Sequence, residues 1–495
     1  MEKTILKAKE VIKRHDNIFA IILIFLSIFG ITLNVLIESS DELWNFQNIY
    51  KMYNGFQIYK DANVIVTPLF FIIGEVLFKV LGANFLTFRI YNIIIMMMLY
   101  FFTYLLLKKL GMCKKISIIA TLILIIFKNY GILLCQANYN TMALMFYILG
   151  VFCYIKKYKY GPILQGIILF VIFSTKQNIG VFYAIGLVTC GILSKYDLKY
   201  RIKKIIIEIL IFLMILVTLL LLFYINGNLY NFLDYTILGI SEFANENIFI
   251  NISNIILAIF FICINLIITI IFIKNEKLNI NNEEKEQLII LNCFAVPMVL
   301  TMIPILNDAH FFIGIYLSLI LFIYIIKIII GEINFKINKK VIDAVLIVLS
   351  LFACIFSITS FYFWINSINN EEYSFKKENP FYGGIINDEL IKKINNVVEY
   401  IENNSHNVIV LSNKAAFYMI PTRRSNGVMD LPLKGNLGKE GEKGLIEKIK
   451  KLENTYILIE KEEKDIIWQE SEKVRKYIIK NKEKVGEIEE FYIYK

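Results

Sequence analysis

The sequence predicts an α-helical polytopic membrane protein of about eleven spans followed by a small C-terminal extracytoplasmic α/β domain. Three observations carry this. The 495 residues are 57% hydrophobic with a mean hydropathy of +0.61, above the roughly 45–50% apolar share of a globular chain. Apolar runs close to the ~20 residues that cross a bilayer recur along residues 1–364. From about residue 365 the character changes to short β-branched stretches and amphipathic, charged ones.

Taken in order, the apolar runs lie at 18–37, 89–107, 116–134, 139–155, 162–175, 178–194, 204–225, 248–273, 288–304, 310–330 and 341–364. The N-terminal run follows a basic arm (Lys3, Lys7, Lys9, Lys13, Arg14) and has no small-residue cleavage site before Asp41, so it reads as a retained anchor. Between the first two runs lies the outer segment 38–88. Its part 66–82 carries Glu75 and Lys79 and is short, which fits an amphipathic helix at the interface better than a span.

The formal net charge of +10 sits in alternate loops rather than in one patch. Lys108, Lys109, Lys114, Lys115, Lys156, Lys157, Lys159, Lys195, Lys199, Arg201, Lys203, Lys204, Lys274, Lys277, Lys285, Lys336, Lys339 and Lys340 fall on one side of the bundle, while the loops 135–138, 226–247 and 305–309 hold no Lys or Arg. This is the positive-inside pattern. It places the N-terminus inside the cytoplasmic membrane and the tail outside, and it excludes nucleic acid as the reason for the charge. The excess of Ile, Lys, Asn, Phe and Tyr fits an AT-rich bacterial genome. Cys113, Cys135, Cys153, Cys190, Cys263, Cys293 and Cys354 all lie in or beside apolar runs, without metal-ligand spacing or a disulfide framework.

In the tail, 407–411 and 456–459 read as buried strands, 389–403 and 438–452 as helices, and the turn-rich Asn379–Gly384 as its start.

The candidate chemistry gathers on the outer side. Asp41 and Glu42, at the mouth of the first span, could supply a general base, or a ligand for a divalent cation (Mg or Mn), although acids also suit a helix N-terminus. Lys176, in Ser174–Asn178 between two short spans, suits a lipid phosphate or simply ends a span, and Gln177 and Asn178 beside it offer hydrogen bonds. Arg89, opening the second span, could hold phosphate in a bidentate grip or serve as an anchor. His310, after Asn307 and Asp308, could donate to a leaving phosphate or be structural. Asn138, Asn140, Asp308 and Tyr53 are candidate substrate contacts, as are Gln177 and Asn178. Asp234 and Glu242 could add ligands but read more simply as a solvated loop face. No P-loop, GxSxG, HExxH or dinucleotide fingerprint is present.

This arrangement resembles the GT-C superfamily of polyprenyl-phosphate-sugar glycosyltransferases, closest to the branch of protein O-mannosyltransferases and bacterial lipid A aminoarabinose transferases. The resemblance covers about 1–330. It rests on the outward acidic pair Asp41-Glu42, the proline-led helix from Thr67-Pro68-Leu69 to Val80-Leu81-Gly82, Arg89 in NFLTFRIYN, and Lys176 in STKQN. The chain departs from that branch in carrying Gln136–Asn140 where relatives often place an acid, and Val66-Thr67 where they place a basic residue and a second proline. The resemblance implies an inverting transferase of the EC 2.4 class. It would use a polyprenyl-phosphate-linked sugar as donor and a cell-envelope acceptor, with Asp41 as base and Lys176, Arg89 and His310 around the phosphate. The competing class is a polytopic transporter or lipid-linked sugar flippase; ionisable residues at the outer rim rather than midplane weigh against it.

Overall fold

Asparagine starts most of the long helices, and this explains where they begin. In the computed structural model, which describes residues 17–29, 32–33, 36–37, 40–128, 138–195, 197–241, 244, 249–333, 338–370, 372–461 and 471–495, the side chains of Asn84, Asn138, Asn251, Asn281, Asn307 and Asn338 each accept a backbone N–H from the first turn that follows. A cap of this kind satisfies one of the donors a helix start leaves orphaned.

The helices are α1 (Asn17–Phe29), α2 (Ser40–Tyr53), α3 (Leu69–Leu81), α4 (Phe85–Lys109), α5 (Lys114–Lys128), α6 (Tyr139–Lys156), α7 (Gly161–Thr175), α8 (Gln177–Leu193), α9 (Leu198–Ile225) and the short α10 (Leu229–Leu233). There follow α11 (Ile252–Lys274), α12 (Asn282–Val299), α13 (Asp308–Glu332) and α14 (Lys339–Ile368). Most of the described residues are helical. Among the described residues, seven helices are long and apolar enough to cross a membrane: α4, α6, α9, α11, α12 with the 3-10 turn to Met302, α13 and α14. The apolar α1, α7 and α8 are shorter. α4, α6, α12 and α13 are largely buried and form the middle of the bundle, whereas few residues of α9 and α14 are buried. A helix apolar on every side that packs along one side only is what a lipid-facing position requires.

Two expectations are corrected. The first apolar run does not stay helical to residue 37: Leu36 forms a β-bridge with Ile385, and the Ile37 N–H donates to Ile385 O at 2.8 Å. The loop 226–247 is not featureless, since α10 runs into a π-helical turn over Asp234–Leu238. Part of the 116–134 run, together with Gln136, Ala137 and Glu242, lies outside the described residues. The 66–82 segment is helical as expected. α3 leaves Ile72, Val76, Val80 and Leu81 exposed, and its Glu75 and Lys79 pair at 2.6 Å.

The tail folds as a four-stranded sheet in the order β3-β4-β6-β5, with β3 (Asn407–Leu411) and β4 (Thr455–Glu460) parallel and β6 (Phe491–Tyr494) antiparallel to both β4 and β5 (Lys484–Ile488). Strands β1 (Phe249–Ile250) and β2 (Ile305–Leu306) form a separate two-residue pair in the bundle. Helices α15 (Asp388–Asn403), α16 (Ala416–Met419), α17 (Gly441–Lys450) and α18 (Glu472–Asn481) complete the tail. β3, β4, α15 and α17 stand where the sequence puts them; the β5–β6 hairpin and α18 were missed.

The tail packs on the segment 38–88. Phe85 N donates to Pro380 O (2.8 Å) and Leu86 N to Tyr382 O (3.0 Å), and Trp364 Nε1 donates to Gly383 O at 3.1 Å. Gly383 (φ +91°) and Gly384 allow this approach: a Cβ would stand 2.5 Å from Leu86 Cβ at the first and 2.1 Å from Ile37 Cδ1 at the second. The rings of Phe46, Phe85, Phe381 and Phe417 close the joint. At the other end of the helices, Lys109–Glu283 (3.1 Å), Lys157–Glu286 (2.8 Å) and Lys327–Glu284 (2.7 Å) link helix ends. These pairs are partly or largely exposed and add little stability each.

Candidate functional site

The site is built on a hairpin with almost no loop. α7 stops at Thr175, α8 starts at Gln177, and only Lys176 lies between them, extended at φ −153° and ψ 113°. Its N–H still donates to Ile172 O (2.9 Å) and its carbonyl already accepts Gly180 N (3.1 Å). The two helices can fold back this tightly because of Gly180: a Cβ there would meet Phe173 Cα at 2.5 Å and Phe173 N at 2.9 Å. The sequence STKQNIG therefore lifts one lysine onto the apex of a helical pair. There Lys176 Nζ donates to Asn140 Oδ1 and lies 5.4 Å from the centre of the Tyr139 ring. Thr67 Oγ1, donating to Phe173 O at 2.6 Å, ties the apex to the segment 38–88.

Asp41 faces this lysine from the first turn of α2. It accepts no hydrogen bond from any described residue, and it is exposed to solvent. The protein around it is nonetheless dense. Burial raises its carboxyl above the ordinary value of 3.8, and the Lys176 ammonium pulls it back down. Asp41 thus lines a recess, charged by a single opposing lysine. Tyr139 stands in the field of the same carboxylate, its ring edge-on to Trp44 at 6.3 Å.

Glu42 is a different carboxylate despite its place in sequence. Successive helix residues point about 100° apart, so Glu42 turns into the protein. It is 1% exposed and paired to Arg89 Nη2 at 3.1 Å; Arg89 Nη1 donates to Thr32 O (2.7 Å), with its guanidinium 5.1 Å from the Phe85 ring. Burial raises Glu42 to about 7 against the pull of Arg89. The expected acidic pair is therefore one recess-lining acid and one structural acid. Arg89, expected at a phosphate, is committed to Glu42 and to a backbone carbonyl beneath the recess.

The remaining candidates divide in the same way. His310 comes near Lys176, whose charge acts on its ring, and its Nδ1 is 2.8 Å from Asn307 Oδ1, which leaves Nε2 for another partner. Asn140 belongs to the site as the partner of Lys176. Asp308 accepts from Asn254 Nδ2 at 3.1 Å and fastens α11 to α13. Asn138 caps α6 through Thr141 N (2.8 Å). Gln177 Nε2 clips Ile65 O (2.9 Å) to Thr236 O (3.1 Å), and Asn178 Oδ1 accepts from Ile179 N (2.8 Å). Tyr53 ends α2, about 18 Å along the axis from Asp41, and packs on Phe78. Asp234 Oδ1 accepts Lys439 N at 3.1 Å and so holds the tail.

A divalent cation does not fit these donors. Such ions take several oxygen ligands, yet Glu42 is bound to Arg89 and Asn140 to Lys176, leaving Asp41 alone. Among the described residues no group of three or more His, Cys, Asp or Glu side chains is placed to hold a metal.

Sequence reasoning missed Tyr139, whose ring lies beside Lys176, and the groove below it. Leu169, Phe173, Gly180, Ala184, Phe212 and Leu213 line an apolar groove of about 430 Å³ between α7, α8 and α9. Its upper end, at Phe173 and Gly180, lies one helical turn from Lys176. No family model matches this chain, and no curated protein is significantly similar to it.

Proposed function

We propose that the protein is a membrane glycosyltransferase that moves a sugar from a polyprenyl-phosphate donor to a cell-envelope acceptor, a glycan, lipid or protein, on the outer face of the cytoplasmic membrane. The observation that carries this reading is the convergence of Asp41 and Lys176 at the head of an apolar groove. A lipid phosphate needs a cation at its head and an apolar lane for its chain; an acceptor hydroxyl needs an unpaired base across from it. The groove, Lys176 and Asp41 supply these three in order.

The residues then act as follows. The polyprenyl chain lies between α7, α8 and α9, and the phosphate sits against Lys176 Nζ, with His310 beside it. The Asp41 carboxylate takes the proton of the acceptor hydroxyl while that oxygen attacks the anomeric carbon from the face opposite the phosphate. The new carbon–oxygen bond forms as the bond to the phosphate oxygen breaks. The electron pair leaves on the phosphate, its charge offset by Lys176. The proton passes from Asp41 to solvent in the recess. No acid need protonate the leaving group, because phosphate departs as an anion.

This reading takes the topology of eleven spans in the GT-C manner, with α1, α5, α7 and α8 crossing alongside the seven longer helices and the lysine-rich ends inside. The α/β tail caps the outer segment.

The test is transfer of labelled sugar by purified protein from a panel of polyprenyl-phosphate sugars to envelope extract. Asp41→Asn should cut transfer by about 10²–10⁴-fold, the range of a lost general base, at unchanged expression. In wild type, transfer should fall as the pH drops through a value above the ordinary carboxylate range, because the raised Asp41 must be ionised to act. Full transfer by Asp41→Asn would remove the base assignment, and no donor consumption by folded wild type would remove the class.

A further inference from the structure

The seam between α8 and α9 has a second feature at its opposite end, far from Asp41. Where α6, α7, α8, α9 and α12 come together, a cavity of about 120 Å³ is lined by Lys157, Lys195, Lys204, Tyr154, Tyr200 and Glu286, among others. That is the liquid volume of roughly four waters, enough for a phosphate group and too little for a sugar chain.

The charges in it are unbalanced. Lys157 is paired to Glu286 at 2.8 Å. Lys195 is exposed and makes no hydrogen bond to a described residue. Lys204 is held over the Tyr154 ring, 3.8 Å from its centre, with only 17% of its side chain exposed. Glu208 Oε1 stands 3.9 Å away, beyond hydrogen-bond range, Glu286 acts on its charge as well, and Lys204 donates to no described residue. Glu208 itself is 1% exposed, and its Oε1 has no hydrogen-bond partner among the described residues. An ammonium with its donors unspent inside a wall of protein is positioned for an anion. Above it, the same helices continue into the apolar groove along Val188, Thr189 and Ile209.

We propose that this cavity binds the phosphate of an anionic lipid from the leaflet at the lysine-rich end, with Lys195 and Lys204 as its contacts and the lipid chain lying in the α8–α9 seam. The site stands on the membrane placement of the bundle and not on the transfer reaction. Two lipid sources share this chemistry, a glycerophospholipid such as phosphatidylglycerol and a polyprenyl phosphate.

The experiment is native mass spectrometry of the detergent-solubilised full chain titrated with phosphatidylglycerol, polyprenyl phosphate, zwitterionic phosphatidylcholine or inorganic phosphate. Wild type should hold one or both anionic lipids in preference to phosphatidylcholine, and inorganic phosphate, lacking a chain, should bind weakly. Which anionic lipid binds tighter identifies the source. Each lysine near a lipid phosphate contributes about fivefold in affinity, so Lys195→Gln with Lys204→Gln should lose roughly thirty-fold. Glu208→Gln removes the opposing carboxylate and should tighten binding, an effect misfolding would not produce. Equal retention of phosphatidylcholine, or equal anionic-lipid affinity in the double variant, would overturn the proposal. These readouts do not depend on sugar transfer, so they stand or fall apart from the function proposed above.

Discussion

Asp430→Ala should loosen the α/β tail from the helix that carries Asp41. Asp430 is 2% exposed and forms a buried ion pair with Lys51 of α2, itself 5% exposed; Gln47 Nε2 donates to the same carboxylate at 2.9 Å. Lys51 also reaches Asp61 O (2.9 Å) and Gly427 O (3.2 Å), and Asn63 Nδ2 reaches Leu431 O (2.7 Å). Removing the carboxylate leaves Lys51 with two carbonyls and no counter-charge, and strips Gln47 of its acceptor. Breaking one side of a buried pair costs about 3–5 kcal/mol. At tenfold per about 1.4 kcal/mol, amide exchange in α2 that proceeds through undocking should accelerate by roughly two to three and a half orders of magnitude. Hydrogen-exchange mass spectrometry on peptides from Asn45–Tyr53 would read this directly. Lys51→Met with Asp430→Leu replaces the pair by apolar groups and should lie within about 1 kcal/mol of wild type, because two desolvation penalties vanish with the attraction. Exchange in Asp430→Ala within threefold of wild type would refute the docking argument. So would a double variant that is looser than the single one.

Glu42 is held at about 7 against an ordinary 4.5, so the folded state binds its proton more tightly than the unfolded chain does. Its contribution is therefore full below the ordinary value and lost as pH climbs to about 7, a slope worth on the order of 3 kcal/mol that Glu42→Gln should flatten in thermal melts taken from pH 4.5 to 8. Gly180→Ala places a Cβ against the backbone of Phe173, which cannot give way, so α7 and α8 must part beneath Lys176. It should lower stability by about 1–3 kcal/mol and raise the donor KM, whereas Gly161→Ala, with nothing within 4 Å of its Cβ, should do neither.

Hydropathy was enough to place most of the helices, because the length and apolarity of a run are local properties of the chain. The same is true of β3 and β4, short buried runs bounded by polar residues. Asp41 and Lys176 were also legible, as ionisable groups at the ends of apolar runs, which are rare without a reason. What sequence could not supply was which way neighbouring acids turn. Asp41 and Glu42 are adjacent in the chain, yet only tertiary packing set one against Lys176 in a recess and buried the other on Arg89. The same holds for Arg89 itself, whose guanidinium has the chemistry of a phosphate ligand and the surroundings of an anchor. Gln177 and Asp308 likewise became fasteners because the carbonyls and amide they meet come from segments about 50 to 110 residues away. The groove under Lys176 and the lysine cavity at its far end are gaps between α7, α8 and α9. Apolar periodicity says that those helices bury a face, but the gaps exist only once Gly180 and its neighbours fix how closely the helices approach.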